Sequence, residues 1–425
     1  MTNTVAVEEL RVGMYIHLEG GWLSHPFPLS AFRISSLDEI TTIRGLGLAR
    51  VRWVPEKSEI SDADAAPAVA VAAAPTSEQP EARQQQAWLQ EQRESSQRCE
   101  RQYGEAAKVM REVNDTLISQ PKDAGRTAGA LARAMLDKMV AADEVAIRLV
   151  NGGGGDRNGA HALNVAVVSM LIGRTMGMSE AEMQELGVGA LLHDVGKIDV
   201  PDRLRHAEDG FTQAETNGYR DHVAKGVAQA HRMGLNASTL SIVAQHHEHA
   251  DGSGFPMKLA ADRLSLGARI VAIVNRYDNL CNPGGRSVAL TPHEAVSMMF
   301  AHSRSRFDPP VLNAFIRMMG VYPAGSLVQL TDDRFAIVVG VNSSRPLKPR
   351  VLVHGTAGQR SGPRVAVSGS AQMLDLERQP DLGIRRSLAA AKVPPAVLAA
   401  LDPRPRVSYY FEALGAISRV AELAA

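Results

Sequence analysis

LLHDVGK, residues 191–197, closes the apolar helical run EAEMQELGVGALL, and the reading of the fold turns on it. A histidine and an aspartate side by side, where a helix stops winding, can both turn toward one metal ion or bridge two. The same helical period continues on either side. ALARAMLDKMVAAD precedes a glycine loop, NGGGGDRNG (151–159), and the apolar run HALNVAVVSMLIGRTMG. Downstream follow NASTLSIVAQHHEH, LSLGARIVAIVNRYDNL and PHEAVSMMFAHS. Asn236 and Thr291 stand where N-caps belong, and Pro292 occupies a first helical position. Between Gly125 and Ser303 the expectation is therefore an all-helical bundle, an architecture that builds metal sites from facing helices.

Eight of the thirteen histidines fall between His161 and His249, so their contexts carry the information. His161 and Asn164 are spaced i, i+3 at the start of an apolar helix and share a face. His193-Asp194 ends the next helix, His222 opens a third, and His246-His247 sit late in a fourth, followed by Glu248. Asn275 lies in the middle of a fifth, with Asp278 one turn on. Imidazoles with a carboxylate suit zinc, iron or manganese. A lone histidine at the edge of an apolar helix is more often a core or surface residue, and that reading is kept for His206, His231, His249 and His302. The ordered series H-x-x-N, L-L-H-D-x-G-K, a single His and H-H-E-x-x-D-G-S-G is not of that kind.

Outside the bundle, residues 1–56 read as a small strand-containing domain, from the alternation in VEELRVGMYIHL and from Val51, Trp53 and Val54. Residues 57–84, rich in Ala, Pro and acidic side chains, read as a disordered linker. Residues 85–123 read as a charged helical connector, with Trp88 and Leu89 as a dimer seam. The bundle is placed at 124–325. SLVQL, RFAIVVGV and PRVLVH then give a small β element, and the chain to residue 425 closes in a weakly specified tail. The fold class is thus mainly α, with small β-containing parts at both ends. Formal net charge is zero, which gives no reason to expect DNA as a partner. The apolar stretch Ala65–Ala74 is too short to span a bilayer, and the N-terminus carries acidic residues where a signal peptide has basic ones. Cys99 and Cys281, without metal-type spacing, fit a reducing, cytoplasmic setting.

LLHDVGK resembles the signature of the HD superfamily of metal-dependent phosphohydrolases. HHEHADGSGFP (246–256) resembles the segment that defines the HD-GYP branch, with Phe255 in place of tyrosine. The resemblance runs from about residue 125 to 325, and the first fifty-odd residues resemble a small domain of unknown function often found before HD-GYP domains. It implies two divalent metal ions, iron, manganese or zinc, on His161, His193, Asp194, His222, His246 and His247, with Asn275 at the position of a further ligand. His193, Asp194 and Lys197 would be catalytic, with Lys197 also meeting a substrate phosphate. The implied reaction is hydrolysis of cyclic di-GMP to the linear dinucleotide and GMP by a hydroxide that the two metals activate.

Three departures from the family pattern bear on that implication. The carboxylate of the A-D-x-Y-D helix is here the amide Asn275, a neutral and weaker ligand. A glutamate that supports a third metal in some members is Arg157. The basic stretch that contacts substrate is LCNPGGRS (280–287), which leaves Arg286 as the nearby cation. The competing expectation is a degenerate HD-GYP module that senses nucleotide or docks proteins without turnover. A further one is an HD-type hydrolase acting on another nucleotide. Candidate partners are cyclic di-GMP, GGDEF-type or other signalling proteins, and a second copy of the chain.

Overall fold

The computed structural model describes residues 4–18, 31–46, 48, 50–59, 78–142, 144–152, 156–208, 210–284, 287–341, 345, 347–355, 372–403 and 406–414. Contacts divide the chain into two units. The first comprises residues 1–95, 327–337 and 347–402, and the second 96–326, 338–346 and 403–425.

The first unit opens with four short strands: β1 (Thr4–Ala6), β2 (Tyr15–His17), β3 (Ala31–Arg33) and β4 (Arg50–Trp53). They form an antiparallel sheet in the order β1-β4-β2-β3. Helix α1 (Leu37–Gly45) starts at Ser36, whose side chain accepts the Glu39 N–H. Ile40 and Ile43 on α1 join Val5, Ile16, Ile34 and Val51 in one buried cluster. Burying such branched side chains fully is worth about 1.5–3 kcal/mol each, which is how strands of three or four residues hold together. Helix α2 (Glu78–Thr116) begins in this unit and ends in the second.

The second unit contains α3 (Pro121–Val140), β5 (Glu144–Val150), α4 (Arg157–Thr175), α5 (Glu180–Leu192), α6 (Gln213–Arg220), α7 (His222–Arg232), α8 (Ala237–Gln245), α9 (Leu266–Cys281), α10 (Pro292–Ser303) and α11 (Pro309–Met319). Helix α4 is buried from Ala162 to Gly173. A helix apolar on all sides belongs at the centre of a bundle, and α4 packs on α5, α9 and α11. Ser179 and Glu182 form a capping box at the start of α5, and Ser265 caps α9, so both helices have defined entry points. After α11 come β6 (Leu327–Leu330), β7 (Phe335–Gly340), β8 (Arg350–Val353), β9 (Gln372–Asp375), β10 (Ile384–Leu388), α12 (Pro395–Leu401) and β11 (Ser408–Leu414). In the first unit β6 pairs with β10 and β7, and β8 pairs with β9, all antiparallel.

Three sequence expectations are corrected. Residues 78–84, assigned to a disordered linker, are the first turns of α2. Glu and Gln are good helix formers, and Pro80 falls in the first turn, where its missing N–H has no intrahelical partner anyway. Residues 60–77 of that linker lie outside the described residues, as do the side chains of Trp88 and Leu89. The all-helical stretch contains a strand, β5, whose period of two is short and flanked by helices. The weakly specified tail contains β10, α12 and β11. Strand β11 pairs with β5 in seven antiparallel pairs, from Ser408↔Val150 to Leu414↔Glu144. Those partners are too far apart in sequence for a local pattern to announce them.

Candidate metal centre

Three of the histidines share one local device. His193 is the C-cap of α5, and its Nδ1 lies 2.7 Å from Ala190 O. His246 is the C-cap of α8, with Nδ1 2.8 Å from Val243 O. His222 opens α7, with Nδ1 2.6 Å from Tyr219 O at the end of α6. Helix C-termini leave carbonyls without intrahelical donors, and each imidazole turns back three residues to satisfy one. A carbonyl only accepts, so the proton sits on Nδ1 and each Nε2 keeps its lone pair. The fourth, His161 on α4, has its Nδ1 2.6 Å from Asp278 Oδ2 on α9.

These four Nε2 atoms converge on Asp194. Those of His161 and His193 lie 3.5 and 3.4 Å from Oδ2, and 3.2 Å from each other. Those of His222 and His246 lie 3.5 and 3.6 Å from Oδ1, and 3.3 Å from each other. His193, His222 and His246 are fully buried or nearly so, and Asp194 Oδ1 is buried without a hydrogen-bond partner. Nitrogen lone pairs that close repel one another unless a cation lies among them. An imidazole with one nitrogen anchored and the other free is also the arrangement that metal-ligating histidines adopt. Two groups result: His161, His193 and Asp194, and Asp194, His222, His246 and His247. Both groups have the donor set of a divalent metal site, and they have Asp194 in common.

At His193, His222 and His247 the electrostatics agree with neutral nitrogen donors, set around an anionic oxygen donor. Burial lowers the His193 pKa, pushes His222 down to about 3 and holds His247 well below the usual imidazole value. Burial would lower His161 too, but Asp194 and Asp278 outweigh it and raise it to about 9. A cation at its Nε2 would take the place of that proton. Asp194 is held well below the carboxylate range: burial opposes ionisation, and the Lys197 charge with the interactions of His193 and His161 outweighs it. Lys197 Nζ donates to Asp194 Oδ2 at 2.6 Å.

A sequence profile described as the HD domain matches residues 140–311, and one described as a domain of unknown function, DUF3391, matches residues 2–125. Over residues 140–311 the chain is similar to the HD domain. Among curated proteins, the chain is 28% identical over 394 residues to the cyclic di-GMP phosphodiesterase PA4108 of Pseudomonas aeruginosa, covering 89% of this chain and 90% of that one. It is 22% identical over 191 residues to the cyclic di-GMP phosphodiesterase PdeB of Borreliella burgdorferi, where it spans only half of the relative's length and 45% of its own. Among solved structures, Bd1817 of Bdellovibrio bacteriovorus, an HD-GYP-type protein, aligns at a TM-score of 0.41 and 15% identity, over 74% of this chain and 98% of that one.

The helices of the matched region bring together six of the residues singled out in the sequence as ligands, together with Lys197. Asn275 is buried on α9, and its Oδ1 already accepts a hydrogen bond from Asn279 Nδ2 at 2.6 Å. Arg286 lies outside the described residues. Arg157 stands at the start of α4 and donates to Gly284 O. It lines a cleft beside Asp194 with Lys197, Arg205, His206 and Asn282. Of these, Arg205, His206 and Asn282 carried no functional assignment from sequence. His206 was read as an ordinary histidine, and only the fold of its loop brings it to the cleft.

Two glycines of the motifs have steric reasons. A Cβ on Gly254 would lie 2.4–2.6 Å from backbone atoms of His247, Glu248 and His249, where the GSGFP loop crosses its own helix end. Buried Glu248 holds that loop by accepting the Met257 and Leu259 N–H groups at 2.6 and 2.9 Å. Phe255 stacks on His247 with ring centroids 4.5 Å apart. A Cβ on Gly196 would lie 2.1 Å from His222 O and 2.2 Å from Gly226 N, both backbone atoms of α7. Gly196→Ala is therefore expected to push α7 and His222 outward and lower stability by about 1–3 kcal/mol. Urea denaturation reads the loss, and an unchanged midpoint would show that α7 accommodates the methyl.

Proposed function

We propose that the chain is a metal-dependent phosphodiesterase that hydrolyses cyclic di-GMP to the linear dinucleotide and then GMP. The observation that carries this is the sharing of Asp194, one oxygen to each pair of imidazoles, beside a cleft lined by Arg157, Lys197 and Arg205. When bound, a pair of divalent ions supplies Lewis acidity, drawing charge from phosphodiester oxygens and letting water give up its proton near neutral pH. His161 and His193 would hold one ion, His222, His246 and His247 the other, and Asp194 would serve both. In hydrolysis a P–O bond forms from water as the ester P–O bond breaks, and the departing ribose oxygen takes a proton. Negative charge accumulates on the phosphoryl oxygens, where Lys197, released from Asp194, donates as a compact point charge. Arg157 and Arg205 supply a planar donor surface for the second phosphate of a cyclic dinucleotide. The relatives named as cyclic di-GMP phosphodiesterases support the choice of substrate. Hydrolysis of cyclic di-GMP, a mixed cyclic dinucleotide and a mononucleotide, side by side with manganese, tests it. Faster turnover of either competitor would overturn the assignment.

One observation favours a second reading, a nucleotide sensor without turnover. Asn275 offers a neutral oxygen that also accepts a hydrogen bond from Asn279. Asn275→Asp restores a carboxylate at that position, and it is expected to tighten metal binding by roughly 10-fold, the lower end of what a partner in a metal's outer shell contributes. Manganese titration of both proteins reads it. Unchanged affinity would mean that position 275 takes no part in metal binding.

A further inference from the structure

The carboxylate that orients His161 is itself held from outside the matched HD domain. Asp278 is buried on α9, with Oδ2 on His161 Nδ1. Its Oδ1 accepts two amide donors, Asn164 Nδ2 at 2.7 Å and Asn282 Nδ2 at 3.0 Å. Each of those amides donates its second hydrogen to one main-chain atom, Val407 O, at 2.9 and 2.8 Å. The same segment returns donors to both: Val407 N–H to Asn282 Oδ1 and Tyr409 N–H to Asn164 Oδ1, each at 2.9 Å.

A side-chain amide has a donor end and an acceptor end of nearly equal shape, and its partners decide which way it faces. Here the N–H groups of Val407 and Tyr409 claim the oxygen ends. Both Nδ2 groups are thereby turned toward Asp278. With the strand absent, either amide could flip and set an oxygen against the carboxylate. The strand is in turn fixed in register. Tyr409 Oη lies 2.7 Å from Tyr277 Oη and donates to Ala324 O at 3.2 Å. Buried Arg148 on β5 pairs with Glu412 on β11, and Tyr410 meets the edge of Tyr103.

We propose that the C-terminal strand is a positioning element of the metal centre: through Val407 and Tyr409 it sets the Asn164 and Asn282 amides, which hold Asp278 so that His161 presents Nε2. The chain runs as Val407 to Asn282, Asn282 to Asp278, and Asp278 to His161, and it rests on the two-group metal centre proposed above. It serves one of the two groups. His193, His222 and His246 are anchored on helix-end carbonyls and owe nothing to β11. The prediction is accordingly selective, since a strand that only packed would affect both groups or neither.

The test is manganese titration of the full chain and of the Asn282→Ala and Asn164→Ala variants, with circular dichroism and thermal melts recorded in parallel. Asn282 is half-exposed at the C-cap of α9, so its replacement leaves the core intact even where buried Asn164 is less tolerant. The expected result is one of two binding steps weakened by roughly 10-fold, the low end for losing a partner behind a metal ligand, since the amides act through Asp278. The second step and the helical signal should be unchanged. Two unaltered binding steps in Asn282→Ala would overturn the positioning role while leaving the metal centre intact. Equal weakening of both steps, with or without loss of helical signal, would make β11 an ordinary packing element. A parent chain that takes up no manganese would sink the metal centre and this role together.

Discussion

Asp194→Ala is expected to abolish phosphodiester hydrolysis and to empty both metal positions, whereas His193→Ala should empty only one. The difference follows from geometry. His193 Nε2 approaches one oxygen of Asp194 and one other imidazole, while Asp194 faces two pairs at once. Losing a partner behind a metal ligand costs roughly 10- to 100-fold in affinity, and losing a ligand common to both ions should exceed that at each. Removing the carboxylate also leaves Lys197 beside the imidazoles without its partner anion, with Asp278 remaining only behind His161, so a cation is held less well. Metal content per chain after gel filtration reads the result. Residual turnover of Asp194→Ala within about tenfold of the parent would refute the assignment, and equal loss in the two variants would deny that Asp194 is shared. Asp194→Asn separates charge from shape, and should behave like the alanine variant.

The second large effect is expected at Lys197. Its ammonium is held 2.6 Å from Asp194 Oδ2. It is the cation paired with the carboxylate on which the four imidazoles converge. Removing one donor of this kind typically costs about 10²–10³-fold in kcat. Lys197→Ala should therefore lower kcat by that amount while KM for the dinucleotide changes much less, since Arg157 and Arg205 still line the cleft. Metal uptake should hold or improve, because the ammonium no longer competes for Oδ2. That pairing of outcomes discriminates: a structural lysine would lose metal and turnover together. A rise in KM with kcat intact would make Lys197 a simple ground-state binding group.

The helical core and the ligand series were legible because both are local. LLHD reads as a helix end followed by two polar side chains, and that is where His193 stands, turned back onto Ala190 O. His246 obeys the same rule at the end of α8. Asn282 was within reach of the sequence too, since it is four residues beyond Asp278, and such pairs meet on a helix face. What the sequence hid was long-range. Arg148 and Glu412 look like surface charges, but they pair in the interior from 264 positions apart. The strand EVAIRLV was absorbed into helical surroundings, and its partner SYYFEAL into a tail, because neither strand is recognisable without the other. His206 was missed for the converse reason: its neighbours in sequence are ordinary, and its place in the cleft comes from the fold of its loop.

The most direct test of the central claim is purification without oxygen, metal analysis, and incubation with cyclic di-GMP and added manganese or iron(II). Two ions per chain, with linear dinucleotide and then GMP appearing, is the predicted result. At most one ion and an intact cyclic dinucleotide, bound or not, would contradict it and leave a fold whose chemistry has been retired.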